Sequence, residues 1–383
     1  MAAPRGSTCA MVVEPLPRGF RLGAVVCSYG FAMLAPNVWQ PPPAARTAKR
    51  RSGGFQRQGE LLRPLRCSDG SPIDVIVRQP AARRLEVHVP AVSGQLSIAD
   101  VAALKGQVVR MLRLSDIDTA TAESFAAGSP DLAAHGPVGR LFRSPCMFED
   151  LVKTFTLCNC GWARSLSMNE AMCAKIGRGA FPSAAELAKV SGRRLRSQCG
   201  VGYRAERILR LAREVARGKL DLNSLENAES AESAEKTCSA IFGLGPFGVA
   251  NALQLLGHYE QIAADSETAR HLRQARGLRA CTIENVRERS AKVYAKYAPL
   301  QFLRYWTELW RTYEDRMGGH ASEVAPEQYR LLTAAHMKVP RQRYSDQLDM
   351  QRRRKRRRDA SVLVSSHASM QSKRRQGAER TQR

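Results

Sequence analysis

The sequence contains no long run of apolar residues, and none approaches the ~20 residues that a helix needs to cross a bilayer. We therefore expect a protein without a membrane-spanning segment or a membrane partner. Aromatic residues are also scarce, at 6% of the chain. Because no aromatic RNA-binding signature is present, an RNA-binding protein is disfavoured. The hydrophobic share of 44% is nevertheless ordinary for a globular protein, so most of the chain is expected to fold.

The ten cysteines lack the spacing of a disulfide framework, and no secretory signal precedes them. Cys158 and Cys160 form a Cys-x-Cys pair, yet no CxxC motif and no nearby histidine completes a four-ligand zinc site. These patterns predict reduced thiols, mostly in the core of an intracellular protein, and no metal site.

Acidic residues are too few to balance the basic ones. The chain has 60 Lys and Arg against 35 Asp and Glu, a formal net charge of +25. Such an excess favours a polyanionic partner, because each phosphate that a protein neutralises releases condensed counterions. The alternative is a solvated basic surface without a partner.

The densest basic run lies in the C-terminal segment, where residues 321–383 carry 16 basic and six acidic side chains. The run is too charged to pack, which indicates either a nuclear import signal or a nonspecific DNA tether. We favour import and hence predict a nuclear location. The run consists of Arg352, Arg353, Arg354, Lys355, Arg356, Arg357 and Arg358.

Hydrophobic periodicity predicts an α+β fold, with a small antiparallel sheet beside a larger helical body. Leu85, Val87 and Val89 alternate with polar residues, as in a half-buried strand, and Ser68-Asp69-Gly70 indicates a hairpin turn. Helical periodicity begins near residue 97. The predicted divisions are a disordered N-terminus (1–12), an antiparallel β domain (13–96) with a basic loop (41–59), a helical domain (97–320) and a basic disordered tail (321–383).

Two helical runs flank Gly243-Leu244-Gly245 in the stretch IFGLGPFGVANALQLL (241–256). The glycines predict a tight turn, and Pro246 suits the first turn of the following helix. A helix N-terminus with open amide groups favours an anion such as a DNA phosphate. Many helix hairpins use glycine only for the bend, so this motif is weak evidence by itself.

Asp265 follows Phe247 by 18 residues and precedes another predicted helix. A short acidic residue at this position caps the helix. The same carboxylate could instead stabilise positive charge on a sugar carbon and orient water, as the acids of glycosidases do. Capping and catalysis are compatible in one residue.

Several segments in order resemble a known family. FEDLVKTFTLCNCGWARS (148–165), GAFPSAAELA (179–188) and QCGVGYRAERI (198–208) resemble the 8-oxoguanine branch of the helix-hairpin-helix (HhH-GPD) DNA glycosylases. The resemblance covers about residues 140–317 and, more loosely, the sheet before them. RLFRSPCMFEDLVK (140–153) is similar to an uncharacterised plant and algal group of this superfamily.

The resemblance implies roles for individual residues. Asp265 falls on the catalytic aspartate. Gly243, Gly245 and Phe247 fall on the DNA phosphate-binding hairpin, whose glycines hold a phosphate, often with a monovalent cation. Tyr203 falls on the aromatic residue that wedges into the duplex, since an enzyme acting on a stacked base must flip it out. The implied readers of the unpaired opposite base are Asn159, Arg164 and Arg204. The ordinary structural explanations are a helix C-cap for Asn159, and a helix start with solvent-facing polar ends for Tyr203 and Arg204.

The sequence also departs from the family pattern. Phe247 stands where bifunctional members carry the lysine that forms a Schiff base, which implies a monofunctional hydrolase. A lyase that uses Lys153 or Lys175 is left open. Cys281 is the single cysteine after the hairpin, so no iron–sulfur cluster and no other cofactor is expected. The aromatic residue that would sandwich the flipped base, and thus the lesion, is not identifiable.

The resemblance therefore implies a monomeric glycosylase of base excision repair that acts on damaged double-stranded DNA. It would hydrolyse the N-glycosidic bond with a water that Asp265 assists. The alternatives are a DNA-binding protein that has lost catalysis and a glycosylase/lyase with another lysine.

Overall fold

The fold is described from a computed structural model, in which residues 7–42, 58–90 and 96–331 are placed well enough for description. The strands in these ranges are β1 (Ser7–Val13), β2 (Val38–Gln40), β3 (Glu60–Arg66), β4 (Pro72–Ala81) and β5 (Arg84–Pro90).

Helices make up most of the rest of the described chain. Short 3-10 helices span Gly30–Met33, Ala295–Tyr297, Ala321–Glu323 and Pro326–Leu331. The α-helices are α1 (Leu22–Val26), α2 (Ile98–Leu112), α3 (Asp116–Gly128), α4 (Pro130–Ala133), α5 (Met147–Leu157), α6 (Trp162–Lys175), α7 (Ala184–Ala188), α8 (Gly192–Cys199), α9 (Arg204–Ala216), α10 (Leu222–Glu226), α11 (Ala231–Ala240), α12 (Pro246–Leu256), α13 (Ser266–Ala275), α14 (Val286–Tyr294) and α15 (Gln301–Met317).

The five strands form an antiparallel sheet in the order β1-β5-β4-β3-β2. Leu85, Val87 and Val89 of β5 are buried, and the alternation arises because successive side chains of a strand point to opposite faces. The tight turn between β3 and β4 contains Ser68-Asp69-Gly70, as predicted, with Gly70 at a φ of +83°.

The sheet packs on the helical body through a shared hydrophobic core. Val77 and Val87 of the sheet belong to the same buried cluster as Leu303 of α15. A second buried cluster lies within the region from α5 to α12. The predicted α+β class, with a small antiparallel sheet on a larger helical body, is confirmed.

Helix α12 contributes to both clusters. Its residues Ala250 and Leu255 belong to the first cluster, whereas Val249 and Leu253 belong to the second. Because α12 is packed on two sides, the turn before it has a fixed position relative to both halves of the helical body.

The prediction of a disordered N-terminus over residues 1–12 is wrong for residues 7–12. Strand β1 pairs with β5, with Ser7 opposite Pro90 and Val13 opposite Leu85. This pairing joins residues that are remote in sequence, so the weak local pattern of the first residues gave little indication of it.

The predicted disordered tail also begins too early. Val324 and Tyr329 are buried, and the Trp39 indole Nε1 donates a hydrogen bond to the Ser322 carbonyl at 2.7 Å. Residues 321–331 therefore cover the sheet domain. The basic run at 352–358 lies outside the described residues.

Most of the predicted basic loop at 41–59 also lies outside them, at residues 43–57. Its C-terminal end is closely packed, since a carbon added at Gly59 would lie 2.3 Å from the Gln40 carbonyl oxygen and 2.4 Å from the Trp39 ring. Gly59 is therefore required for space where the chain re-enters the sheet.

Candidate active site

Helices α11 and α12 form the predicted hairpin. Helix α11 ends at Ala240 and α12 begins at Pro246, so residues 241–245 make the turn. Gly243 has a φ of +80°, in the left-handed region that favours glycine. Gly245 is extended, and a side-chain carbon placed there would meet no atom within 4 Å. The backbone at the start of α12 is therefore open to a ligand.

The start of α12 has the electrostatic properties of an anion site. The first amide groups of a helix have no acceptor within the helix, and the helix dipole favours negative charge beside them. Pro246 occupies the first position, and no acidic residue lies in the first turn. Such an end suits a phosphate that only backbone groups contact.

Asp265 is the N-cap of α13. Its Oδ1 accepts hydrogen bonds from the Glu267 N–H and the Thr268 N–H, both at 2.9 Å, and lies 3.1 Å from the Thr268 hydroxyl. Within the described chain, no group donates to Oδ2 of Asp265. The cap therefore fixes one carboxylate oxygen and leaves the other for a different partner.

The side chain of Asp265 is half-buried. Burial raises the pKa of the Asp265 carboxyl, and the hydrogen bond from the Thr268 amide opposes that rise. The Thr268 hydroxyl is also 2.8 Å from the buried Tyr305 hydroxyl, which anchors the cap to α15. A carboxylate with a raised pKa in a fixed orientation is typical of a catalytic position.

Tyr29 joins the sheet domain to this site, a role that no sequence signal indicated. Its hydroxyl donates to Asn251 Oδ1 at 2.5 Å and accepts from Gln254 Nε2 at 2.7 Å. Burial raises the pKa of Tyr29, and the negative charges of Asp150 and Asp265 contribute to that rise. Tyr29 thus connects α12 of the hairpin with the surroundings of Asp265.

Phe247 lies in the first turn of α12, one helical turn before Asn251, so the two side chains share a face. Its ring is half-buried and packs against the first core cluster. Phe247 provides no amine, and the structure gives it a packing role beside the open helix end.

The two lysines left open for lyase chemistry differ in environment. Lys153 is fully buried, with its Nζ 2.7 Å from Glu149 Oε1, and Glu149 also pairs with Arg63. Burial alone would raise the pKa of Glu149, but Arg63 and Lys153 hold it at about 2. Lys153 is thus committed to a buried ionic cluster between α5 and the sheet, whereas Lys175 is exposed at the end of α6.

Three predicted recognition residues lie on one exposed surface. Asn159 follows the C-cap of α5 with a φ of 47°, so the helix-ending explanation holds for its backbone while its side chain is exposed. Arg164 donates to the Gly200 carbonyl at 3.3 Å. Tyr203 is 50% exposed, and its hydroxyl lies 3.5 Å from the Cys158 carbonyl oxygen. The loops that precede α6 and α9 therefore adjoin.

Arg204 does not match its predicted role. Its side chain is 3% exposed, and its guanidinium donates to the carbonyls of Phe155 and Asn159, at 3.1 and 3.0 Å, and also to that of Cys158. These carbonyls lie in the last turn of α5 and in the loop just after it, and the Phe155 carbonyl also accepts from the Cys158 N–H. Arg204 thus supports the loop that presents Asn159. It is buried and is not placed to read a base.

The aromatic residues of α15 form a packed row. The Trp306 ring is stacked on Phe302 and on Trp310, with centroids 6.0 and 5.4 Å apart. The Trp306 indole also donates to the Ser28 carbonyl at 2.8 Å. A cavity of about 730 Å³ opens beside this row, but Asp265 and the hairpin glycines do not line it. It therefore does not identify a base pocket.

All ten cysteines are free thiols. In the part of the chain that the structure describes, Cys9, Glu86 and His88 are the group of potential metal ligands that lie within 4.8 Å of one another. The Cys158-x-Cys160 pair does not belong to such a group. Over the same residues, no helix is long and apolar enough to span a membrane.

No family model matches the chain, and no curated protein matches it significantly. Solved structures do match. The 3-methyladenine DNA-glycosylase from Archaeoglobus fulgidus aligns with a TM-score of 0.57 and 18% identity, over 81% of this chain and 99% of that one. The apo form of the 8-oxoguanine glycosylase/lyase from Clostridium acetobutylicum aligns with a TM-score of 0.55 and 13% identity, over 80% and 98%.

A third similar structure is MBOgg1 in complex with a low-affinity DNA ligand, with a TM-score of 0.54, 16% identity, and coverage of 79% of this chain and 99% of that chain. The chain therefore has the fold of the 8-oxoguanine and 3-methyladenine DNA glycosylases. This finding confirms the fold that the sequence resemblance implied. The similarity to a plant and algal group stays a prediction.

Proposed function

We propose that this protein is a monofunctional DNA glycosylase of base excision repair. It would flip a damaged base out of double-stranded DNA and hydrolyse the N-glycosidic bond with a water that Asp265 assists. The observation that carries this proposal is the carboxylate of Asp265, with Oδ1 fixed by the helix cap, no protein donor to Oδ2 among the described residues, and a raised pKa.

Asp265 would act by electrostatic stabilisation. Cleavage of an N-glycosidic bond develops positive charge on the sugar, and a fixed carboxylate in a poorly solvated site lowers the energy of that state. Because the cap and Tyr305 hold Asp265 in place, little reorganisation is needed during the reaction. Oδ2 would face the sugar or orient the attacking water.

The hairpin and the exposed surface of Asn159, Arg164 and Tyr203 would hold the DNA. The turn at Gly243 and the open backbone at Gly245 suit one phosphate, with or without a monovalent cation. Tyr203 would fill the space that a flipped base leaves. Arg204 would act through the loop that it supports.

Phe247 supports hydrolysis over lyase chemistry, since imine formation requires an amine at the sugar. Lys153 supports the same conclusion, because its ammonium is buried in an ionic cluster. We further propose that the protein acts as a monomer, without an iron–sulfur cluster or other cofactor, and that residues 352–358 direct it to the nucleus.

A panel assay tests the proposal. The purified full-length chain is incubated in excess over duplexes that each contain one lesion, and the products are separated with and without alkali treatment. We expect strand cleavage only after alkali, because hydrolysis leaves an intact abasic strand. The control is the same assay with Asp265→Asn, and cleavage by this variant at the wild-type rate would contradict the mechanism.

The second candidate function is that of a DNA-binding protein that has lost catalysis. The phenylalanine at position 247, in place of the Schiff-base lysine, favours this candidate. It predicts tight binding to DNA with no base release from any duplex of the panel. Strand cleavage without alkali, together with a borohydride-trapped adduct, would instead indicate a lyase that uses another lysine such as Lys175.

A further inference from the structure

Helix α9 connects the wedge residue to the hairpin turn. Tyr203 is the N-cap of α9, and Arg207 lies one turn further along the same side. The Arg207 guanidinium carbon is 4.9 Å from the centroid of the Tyr203 ring. This distance is within the range of a cation–π contact.

The same arginine lies against the hairpin. A side-chain carbon added at Gly243 would lie 2.5 Å from Arg207 Cδ and 2.7 Å from its Cγ and Nε. The glycine at this position therefore serves two purposes, since it permits the positive φ of the turn and leaves room for Arg207. Any other residue would displace the arginine.

A second arginine of α9 stacks on an aromatic ring beside the hairpin turn. Arg210, three residues after Arg207, has its guanidinium carbon 4.4 Å from the centroid of Phe242, and Phe242 is 39% exposed just before Gly243. Arg210 is also paired with Glu214 at 2.9 Å. Among the residues that the structure describes, Arg207 forms no ion pair, so its positive charge is available to a phosphate near the turn.

We propose that Arg207 is a positioning residue that couples the phosphate-binding hairpin to the wedge residue Tyr203. This inference rests on the proposed function. The planar guanidinium stacks on the Tyr203 ring, which the Arg204 guanidinium also contacts at 4.6 Å, while the aliphatic part of Arg207 packs on the turn at Gly243. Binding of a phosphate at the hairpin therefore fixes the orientation of the ring that enters the duplex.

The two contributions of Arg207 can be separated by substitution. Arg207→Lys keeps the charge but loses the planar group that stacks on the ring. Arg207→Ala loses both. Arg213→Ala is the matched control, because Arg213 is an exposed arginine of the same helix. Within the described residues its side chain forms no ring contact and no ion pair. A melting curve for each variant shows that it is folded.

The first measurement is the affinity for a duplex with an uncleavable abasic-site analogue, over a series of salt concentrations. Arg207→Ala should reduce the slope of log affinity against log salt by about one, and Arg207→Lys should keep that slope. Affinity at fixed salt should fall roughly 3- to 30-fold for Arg207→Ala, the range expected for loss of a cation–π contact together with one phosphate contact.

The second measurement is a double-mutant cycle of Arg207→Ala and Tyr203→Ala in the same binding assay, with base flipping followed by a fluorescent base beside the lesion. If Arg207 acts through Tyr203, the double variant should lose much less than the product of the two single losses. Arg207→Lys should flip the base more slowly than wild type, in spite of its retained charge.

The cycle distinguishes failure of this inference from failure of the proposed function. A wild-type protein that binds and flips but releases no base would contradict catalysis and leave the coupling standing. Multiplicative losses in the cycle, or a loss with Arg213→Ala equal to that with Arg207→Ala, would overturn the positioning role. A wild-type protein that binds no DNA would overturn both.

Discussion

The substitution Asp265→Asn separates the capping role of this aspartate from its proposed catalytic role. The Asp265 cap uses Oδ1, which Asn retains, and no described donor faces Oδ2, so an amide nitrogen there displaces no hydrogen bond. Asn caps a helix about as well as Asp. Because burial raises the pKa of Asp265, its ionised form destabilises the folded state at neutral pH, and Asp265→Asn should leave the melting temperature unchanged or slightly higher.

The rate should respond very differently. Removal of one preorganised group that stabilises the transition state typically costs ~2.7–4 kcal/mol, or on the order of 10²–10³ in rate. Single-turnover excision by Asp265→Asn should fall by that factor, while the affinity for an abasic-analogue duplex stays at the wild-type value or increases. The increase would follow from the loss of repulsion between carboxylate and phosphate.

Asp221→Asn is the matched control. Asp221 caps α10 in the same manner, accepting from the Asn223 and Ser224 amides, but belongs to no predicted site. It should keep the wild-type rate. Equal losses in the two variants, or wild-type excision by Asp265→Asn, would show that Asp265 is only a cap.

The pH profile provides an independent check on the same residue. The wild-type rate should decrease as the pH falls through the raised pKa of Asp265, since the protonated carboxyl carries no charge. The residual activity of Asp265→Asn should lack this acidic limb, and an unchanged limb in the variant would assign it to another group.

Three further predictions follow from the structure. Tyr203→Ala should slow excision of a stably paired lesion more than excision of a mismatched one, because a mismatched base costs less to unstack; equal losses on both duplexes would contradict a wedge. Lys153→Met should lower the free energy of unfolding by up to about 3–5 kcal/mol in denaturant melts, because it leaves the charge of Glu149 partly uncompensated. The folded variant should excise at the wild-type rate. A borohydride-trapped adduct that the wild type forms and the variant does not would instead show lyase chemistry by Lys153. Deletion of residues 339–383 should disperse a fluorescent fusion from the nucleus and leave excision by the purified core at low salt largely intact, whereas an unchanged nuclear signal would contradict the import assignment.

Features that depend on local pattern could be predicted from the sequence. The turn at Ser68-Asp69-Gly70, the hairpin glycines and the cap at Asp265 are each determined within a few residues, by turn chemistry and by unpaired amides at helix starts. The structure has all three, as the sequence indicated.

Features that depend on contacts between distant segments could not be predicted. Strand β1 forms because β5 offers an edge, and Tyr29 reaches α12 from the sheet domain. Arg204 is buried where its guanidinium donates to three carbonyls in the last turn of α5 and the loop after it. In the sequence, Arg204 follows Tyr203 and therefore resembles a residue that reads a base. Only the packing of α5 against α9 shows that Arg204 supports the loop after α5.

The mass of the lesion-containing strand after one turnover, measured without alkali, tests the central claim most directly. We predict that the wild-type protein converts at least one damaged duplex into an intact strand that has lost the damaged base and gained a hydroxyl group, and that Asp265→Asn leaves this strand unchanged over the same time. A strand of unaltered mass with every lesion, or a strand already cleaved at the abasic site, would contradict the account of an aspartate-assisted, monofunctional glycosylase.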